Sequence, residues 1–288
     1  MPKDATQPRK HGARTATYNP ASDAPAAAPA GLRARRTKRY GWIPDLPDHR
    51  DFLYAAPTPV LQSIPASADL RAQCPPVYDQ GQLGSCTANA IAAAIEFDQM
   101  KESRTFTTPF APSRLFIYYN ERAIEGTTAQ DSGAQIRDGI KSVATLGACP
   151  EEKDWPYDVT KFADQPPATA YSDAKPYAIT TYQRLVHDLN TMKGCLASGY
   201  PFVFGFTAYE TLETDEVTKT GQIPMPTTQD HAIGGHAVVA VGYDDATRMF
   251  TIRNSWGTVW GQAGYGFIPY SYLLEPNLAQ DFWTIRSI

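Results

Sequence analysis

From residue 64 onward the apolar positions follow two periods in turn. Across 86–146 they recur at the spacing of one helix face. Cys86, Ala90, Ile91, Ala94, Ile95 and Phe97 predict a buried helix over 86–100, with alanines that let other elements approach closely. Further helices are predicted over 112–124 and 134–146, the latter stopped by Gly147, and a short one over 187–197, stopped by Gly199. Beyond Gly199, short runs rich in β-branched and aromatic residues predict strands over 202–207, 236–243, 249–255, 265–269 and 281–286. Residues 151–185 read as loop around Pro166-Pro167, and 210–234 as a polar excursion at a cleft rim just before His236. A helical half followed by a β half predicts an α+β chain of two lobes with a cleft between them.

The first 63 residues have no such period. Residues 1–38 are rich in Ala, Pro, Thr and charge, with few large apolar side chains, and are expected to be disordered. Residues 39–54 concentrate aromatics and prolines, which preclude a helix interior and favour an extended chain anchored by Tyr40, Trp42, Phe52 and Tyr54. Residues 55–63 read as a linker. The leader 1–63 holds ten Lys/Arg against five acids, so it carries +5 and the body 64–288 carries −9 of the overall −4. That contrast fits a leader that docks on the body.

Composition narrows the classes that remain. A net charge of −4 makes no case for nucleic acid or an anionic membrane surface, and no run of 18 apolar residues exists to span a bilayer. The N-terminus lacks the apolar region of a signal peptide. Four cysteines are too few for a disulfide scaffold, and no Cys-x-x-Cys or His/Cys cluster suggests a metal site; no cofactor is implied. With Cys86 set aside as a nucleophile, at most one pair forms among Cys74, Cys149 and Cys195, and the sequence does not say which.

Gln80-Gly81-Gln82-Leu83-Gly84-Ser85-Cys86-Thr87 places one thiol at the start of the first predicted helix, near the positive end of its macrodipole, where a thiolate is stabilised. A nucleophilic thiol needs a base, and the base needs a partner to orient it. His236 opens the apolar strand 236–243, flanked by glycine, and Asn254 ends the next strand with Trp256 two residues on. A histidine at a strand end and an asparagine in a turn are more often structural when taken singly. Together they supply a base, an acceptor for its ring N–H and an indole to exclude water. The Gln80 amide and the Cys86 backbone N–H are candidate oxyanion donors.

These residues resemble the papain-like cysteine peptidase family over residues 64–288. The motifs are Gln80, Gly84-Ser85-Cys86, Gly235-His236-Ala237 running into Val-Gly-Tyr, and Asn254-Ser255-Trp256-Gly257. His236 lies 150 residues after Cys86, at the upper end of the family's ~130–150, and Asn254 lies 168 after it, slightly beyond. The resemblance implies a helical left lobe and a β-barrel-like right lobe, with Cys86 as nucleophile and His236 as general base and acid, resting as a thiolate–imidazolium pair. It implies that Asn254 orients His236, Trp256 shields the contact, and Gln80 with the Cys86 amide holds the oxyanion. Extended polypeptide substrates would pair with the loop at Gly133 and Ala134, and Gly235 would open the cleft floor. Leu83 stands where the family carries a cysteine and Thr87 where it carries an aromatic. The leader is similar to the short leaders of bacterial members, so residues 39–63 are expected to cover the cleft as a pro-segment. A monomer is expected, and family habit implies export despite the missing signal. The alternatives are a transpeptidase or ligase on the same site, and a non-catalytic peptide-binding module on the same scaffold.

Overall fold

Cys86 opens a helix that is buried on every side. Its residues from Cys86 to Gln99 all lie in the interior, so it is a core rod with no solvent face. The structure, a computed structural model, describes residues 40–101 and 109–287. The expectation of disorder over 1–38 falls outside them. In chain order the elements are β1 (Trp42–Ile43), α1 (Thr58–Gln62), β2 (Ser67–Asp69), α2 (Cys86–Lys101), α3 (Arg114–Glu125), β3 (Ala134–Gln135), α4 (Ile136–Leu146), α5 (Ala168–Ala174), β4 (Thr181–Arg184), α6 (Leu189–Ala197), β5 (Phe202–Tyr209), α7 (Asp215–Thr220), β6 (Ala232–Asp244), β7 (Met249–Arg253), β8 (Tyr265–Pro269), α8 (Tyr270–Leu274) and β9 (Ala279–Ser287).

The fold is α+β, as the hydrophobic pattern predicts. Helices α2, α3 and α4 pack together, with Gly139 of α4 so close to Ile91 and Glu121 that a Cβ there would meet both within 2.5 Å. The β half is a sheet in the order β4-β9-β5-β6-β7-β8, with β2 added to β6, and every pairing in it is antiparallel. Helix α2 packs across this sheet through β6, β9 and β5. The helix that carries Cys86 and the strand that carries His236 therefore share one core.

Boundaries move where tertiary pairing overrides local pattern. Helix α3 starts at Arg114 and not 112, because Ser113 caps it by accepting the Phe116 N–H at 3.2 Å, and it stops at Gly126 in the left-handed conformation. Helix α4 starts at Ile136, because Ala134 and Gln135 are taken up as a strand beside β1. Strand β6 starts at Ala232, four residues before the predicted start, since the rim segment pairs with the end of β5. Strand β7 ends at Arg253 and releases Asn254 and Ser255 from the ladder. The segments read as loop or linker carry short elements: α1 within 55–63, α5 and β4 within 151–185, and α7 within 210–234. All four cysteines are free thiols, so no disulfide forms. Among the described residues no helix is long and apolar enough to cross a membrane.

Leader residues from Tyr40 pack into the same compact unit as the body. Trp42, Tyr54 and Ala56 are core residues, and burying each of the two aromatics contributes roughly 2–3 kcal/mol. β1 pairs in parallel with β3, Trp42 opposite Ala134 and Ile43 opposite Gln135. Further along, Tyr54 donates its N–H to the Arg184 carbonyl at 2.8 Å, and Arg184 donates its own to the Phe52 carbonyl at 2.8 Å. Asp51 takes a buried ion pair from Arg137 and a second, at 3.1 Å, from Arg184. Removing one partner of such a buried pair costs about 3–5 kcal/mol.

Candidate active site

Three loops converge where α2 begins. The turn 80–85 precedes Cys86, and Ser85 is hydrogen-bonded to the Tyr157 hydroxyl at 2.6 Å and to the Asn89 amide at 3.1 Å. Tyr157 donates its hydroxyl proton to the Gln80 carbonyl at 2.9 Å, so in the contact with Ser85 the serine Oγ–H donates to the phenolic oxygen. Arg114 stacks on Tyr157 and holds Glu151, the Asp79 carbonyl and Asn89. The Gln80 N–H donates to the Ser255 carbonyl at 2.8 Å, and Gly257 N–H to the Tyr78 carbonyl at 2.9 Å. These bonds clip the turn before the nucleophile to the turn that carries Asn254.

Asn254 leaves β7 at the point where its side chain folds back. Its Oδ1 accepts the Ser255 N–H at 2.8 Å, which identifies that atom as the oxygen. The same Oδ1 lies 2.8 Å from His236 Nε2, so Nε2 carries the proton and donates it. Nδ1 is then the basic nitrogen, and it is buried without a hydrogen-bond partner. Trp256 lies nearly parallel to the imidazole, ring centres 4.8 Å apart and planes at 28°. The Cys86 sulfur is reached by the backbone N–H groups of Ala237, Gly41 and Thr87, so the thiol sits against the residue that follows His236.

Gln80 lies in the same group, yet its side chain is already engaged. Nε2 donates to the Leu83 carbonyl at 2.8 Å and Oε1 accepts the Ser255 hydroxyl at 2.6 Å. One of its two amide hydrogens remains for an oxyanion. Gly133, Ala134 and Gly235, expected to meet substrate, are all occupied by the leader. Ala134 N–H donates to the Gly41 carbonyl at 2.7 Å, a Cβ on Gly133 would sit 2.1 Å from that oxygen, and one on Gly235 would sit 2.3 Å from the Trp42 carbonyl. Trp42 also lies flat against Gly205, and its indole N–H reaches Asp281 at 3.1 Å. Tyr40 presents its edge to His236 and to Trp256.

The expected resting thiolate–imidazolium pair is not what this environment favours. Cys86 and His236 are wholly buried. Burial pushes the thiol up to about 12, against smaller opposing effects of the three amides. It pushes the imidazole down to about 4, with the Asn254 bond opposing. Desolvation penalises both charges, so this covered environment favours the thiol and the neutral imidazole.

Several residues at the site escape sequence reasoning. Thr87, in the place of an aromatic, gives its hydroxyl proton to Glu121 at 2.6 Å; Glu121 is fully buried, and desolvation holds its carboxyl far above the carboxylate range. Asp131 accepts the Gly84 N–H at 3.0 Å and the Tyr118 hydroxyl. Asp131 opens the Asp131-Ser132-Gly133-Ala134 run that resembles the family's substrate loop, whereas Glu121 has no motif around it, and its one hint in the sequence is a charged residue on an otherwise apolar helix face.

A thiol at a helix start, set against the residue that follows an amide-oriented imidazole, is the arrangement of a cysteine-type peptidase. The chain belongs to the papain family of cysteine proteases, whose family model matches residues 64–272. It is similar to xylellain, a cysteine protease from Xylella fastidiosa, at 46% identity and a TM-score of 0.81, covering 89% of this chain and 99% of that one. It is 40% identical over 276 residues to an uncharacterised peptidase C1-like protein of Acanthamoeba polyphaga mimivirus, covering 88% of each. A digestive procathepsin L 3 of Tenebrio molitor shares the fold at a TM-score of 0.63 and 20% identity, covering 81% of this chain and 72% of that one.

Proposed function

We propose that this cysteine protease is an endopeptidase acting through a Cys86 acyl-enzyme, and that residues 40–63 are an intramolecular pro-segment lying over its cleft. The observation that carries the first part is the Asn254–His236 bond, which leaves Nδ1 as the basic nitrogen of a residue whose neighbour, Ala237, meets the Cys86 sulfur. His236 Nδ1 takes the thiol proton as sulfur attacks a peptide carbonyl carbon. The carbonyl electron pair moves to oxygen, which the Cys86 N–H and the second Gln80 amide hydrogen receive. The tetrahedral adduct collapses, the C–N bond breaks, and the imidazolium returns its proton to the leaving amine. Water repeats the sequence on the thioester, releasing the acid and restoring the thiol. An added amine in place of water would give the transpeptidase variant, which product analysis distinguishes.

The pro-segment reading is supported by Gly41, whose N–H touches the nucleophilic sulfur and whose carbonyl bonds to Ala134. A Cβ on Gly41 would lie 1.6 Å from the Gly84 carbonyl oxygen, which is backbone and unable to give way. Gly41→Ala is therefore expected to dislodge the leader strand while the body stays folded. The measurement is iodoacetamide labelling of Cys86 in the full chain at pH 7. A rise of at least about tenfold over wild type supports the reading, and an unchanged rate refutes it.

Turnover of an unfolded polypeptide tests the first part, with the chain folded intact and then cut at a site-specific protease sequence placed in α1, which buries no residue. Release of new amino termini is the expected outcome, and a folded, cut, alkylatable chain that releases none refutes it. In the same preparation Asn254→Ala is expected to lower kcat on the order of a hundredfold, the scale of misplacing a general base. An unchanged kcat would remove Asn254 from the mechanism.

A further inference from the structure

The leader is held beyond the cleft by a buried group of charges that does not balance. Asp45 of the leader enters the body beside Asp281 of β9. Asp281 is fully buried, and its Oδ2 accepts both the Trp42 indole N–H at 3.1 Å and the Asp45 backbone N–H at 2.8 Å. Its Oδ1 takes Arg184 at 3.0 Å. The Asp45 carboxyl accepts only neutral donors, the Arg137 backbone N–H at 3.0 Å and the Trp283 indole at 2.9 Å. The guanidinium of Arg137 is given instead to Asp51 and the Leu46 carbonyl, and Arg184 is divided between Asp51 and Asp281.

Three carboxyls, Asp45, Asp51 and Asp281, thus share two guanidiniums, Arg137 and Arg184. The other charged groups around them, among the described residues, do not repair the deficit. On the leader, Asp48 is neutralised by Arg50 and approached by Lys141 of α4 at 3.7 Å. On α4 itself, Asp138 faces Lys141 and Arg137 and so adds a further negative charge. His49 lines the adjoining cavity with Asp48, Asp51 and Arg184. One proton would balance the group, and Asp45, the acid without a cation of its own, is where it belongs.

We propose that the Asp45–Asp281 carboxyl pair is a pH-sensitive latch that takes up one proton when the leader docks, so that the leader is held tightly in acid and loosens as the pH rises through neutrality. The inference rests on the pro-segment reading. Burial first, and Asp281 second, raise Asp45 to about 7 in the docked state, whereas a released, solvated aspartate titrates near ~4. Docking therefore binds a proton. Its contribution is complete below about 4 and is lost as the pH climbs to about 7.

The test uses the intact chain and the rate of Cys86 alkylation, which reports opening. Dividing the wild-type rate by that of Asp45→Asn at each pH cancels the chemistry of the thiol. The asparagine is isosteric with the protonated acid and does not titrate. The ratio is expected to rise at least about tenfold between pH 5 and pH 8. Should Asp45→Asn misfold, Asp281→Asn serves the same division, with the same direction expected. A flat or falling ratio overturns the latch, and so does a Cys86 that resists alkylation throughout this range. Turnover is not used, so a chain that labels with this profile but cuts no polypeptide fails as a peptidase and keeps the latch. A chain open at every pH fails first as a pro-segment.

Discussion

Cutting the folded chain within α1 and displacing the leader is expected to raise the rate of Cys86 alkylation at pH 7 roughly a thousandfold. The magnitude comes from the thiol itself. Burial lifts Cys86 from an ordinary 9 to about 12, which lowers the thiolate fraction at neutral pH by about that factor. Removing Tyr40–Trp42 readmits water to the sulfur and to His236, whose own value, about 4 when covered, returns toward the ordinary imidazole range. Both changes favour the charged pair, so restored solvation activates the dyad as well as uncovering it. Cys74, Cys149 and Cys195 serve as internal references. Burial raises all three, Cys74 to about 11 and Cys149 to about 12. Peptide mapping of the labelled thiols decides the matter: equal labelling before and after the cut removes the pro-segment reading.

The second large effect is expected from Cys86→Ala in the cut chain. Turnover of polypeptide should fall at least about 10⁴-fold, as it does when a member of a nucleophile–base unit is removed. No neighbouring group can take over. Of the other described thiols Cys149 and Cys195 are buried and Cys74 is half-buried, and the His187 ring is committed to the Leu273 carbonyl. Binding of a labelled leader peptide to the variant separates chemistry from recognition. Lost turnover with retained binding is the expected pattern. Retained turnover would mean that the sulfur does not carry the reaction.

Much of this site is legible in the sequence because its parts lie in short, distinctive runs. Gly84-Ser85-Cys86, Gly235-His236-Ala237 and Asn254-Ser255-Trp256 each combine a turn residue with a reactive or orienting one, at the edge of an element with clear periodicity. The long elements follow for the same reason, since α2 repeats Ala and Ile at helical spacing and β6 holds a continuous apolar run. What the local pattern cannot carry is partnership across the chain. Arg137 and Asp45 are 92 residues apart, and Asp45 and Asp281 are 236 apart. Each alone is an ordinary charged residue in a polar stretch. Strand β4 escapes for a related reason: it exists because β9 pairs with it, not because its own residues alternate. The protonation of the dyad is illegible on different grounds. The same cysteine and histidine support either charge state, and solvent access selects between them.

The segment in the cleft is joined to the body it covers. Its link runs through Tyr54, bonded to Arg184, and through buried Ala56 to α1. Docking is therefore unimolecular, and the local concentration of the covering strand is set by that short connection, on the order of millimolar. Diluting the protein leaves occupancy of the cleft unchanged, and crowding it adds nothing. A single cut in the linker converts this concentration-blind state into an ordinary bimolecular equilibrium. The same contacts then hold the strand only above its dissociation constant, and a dilute secreted molecule and a concentrated stored one would differ in activity without differing in structure.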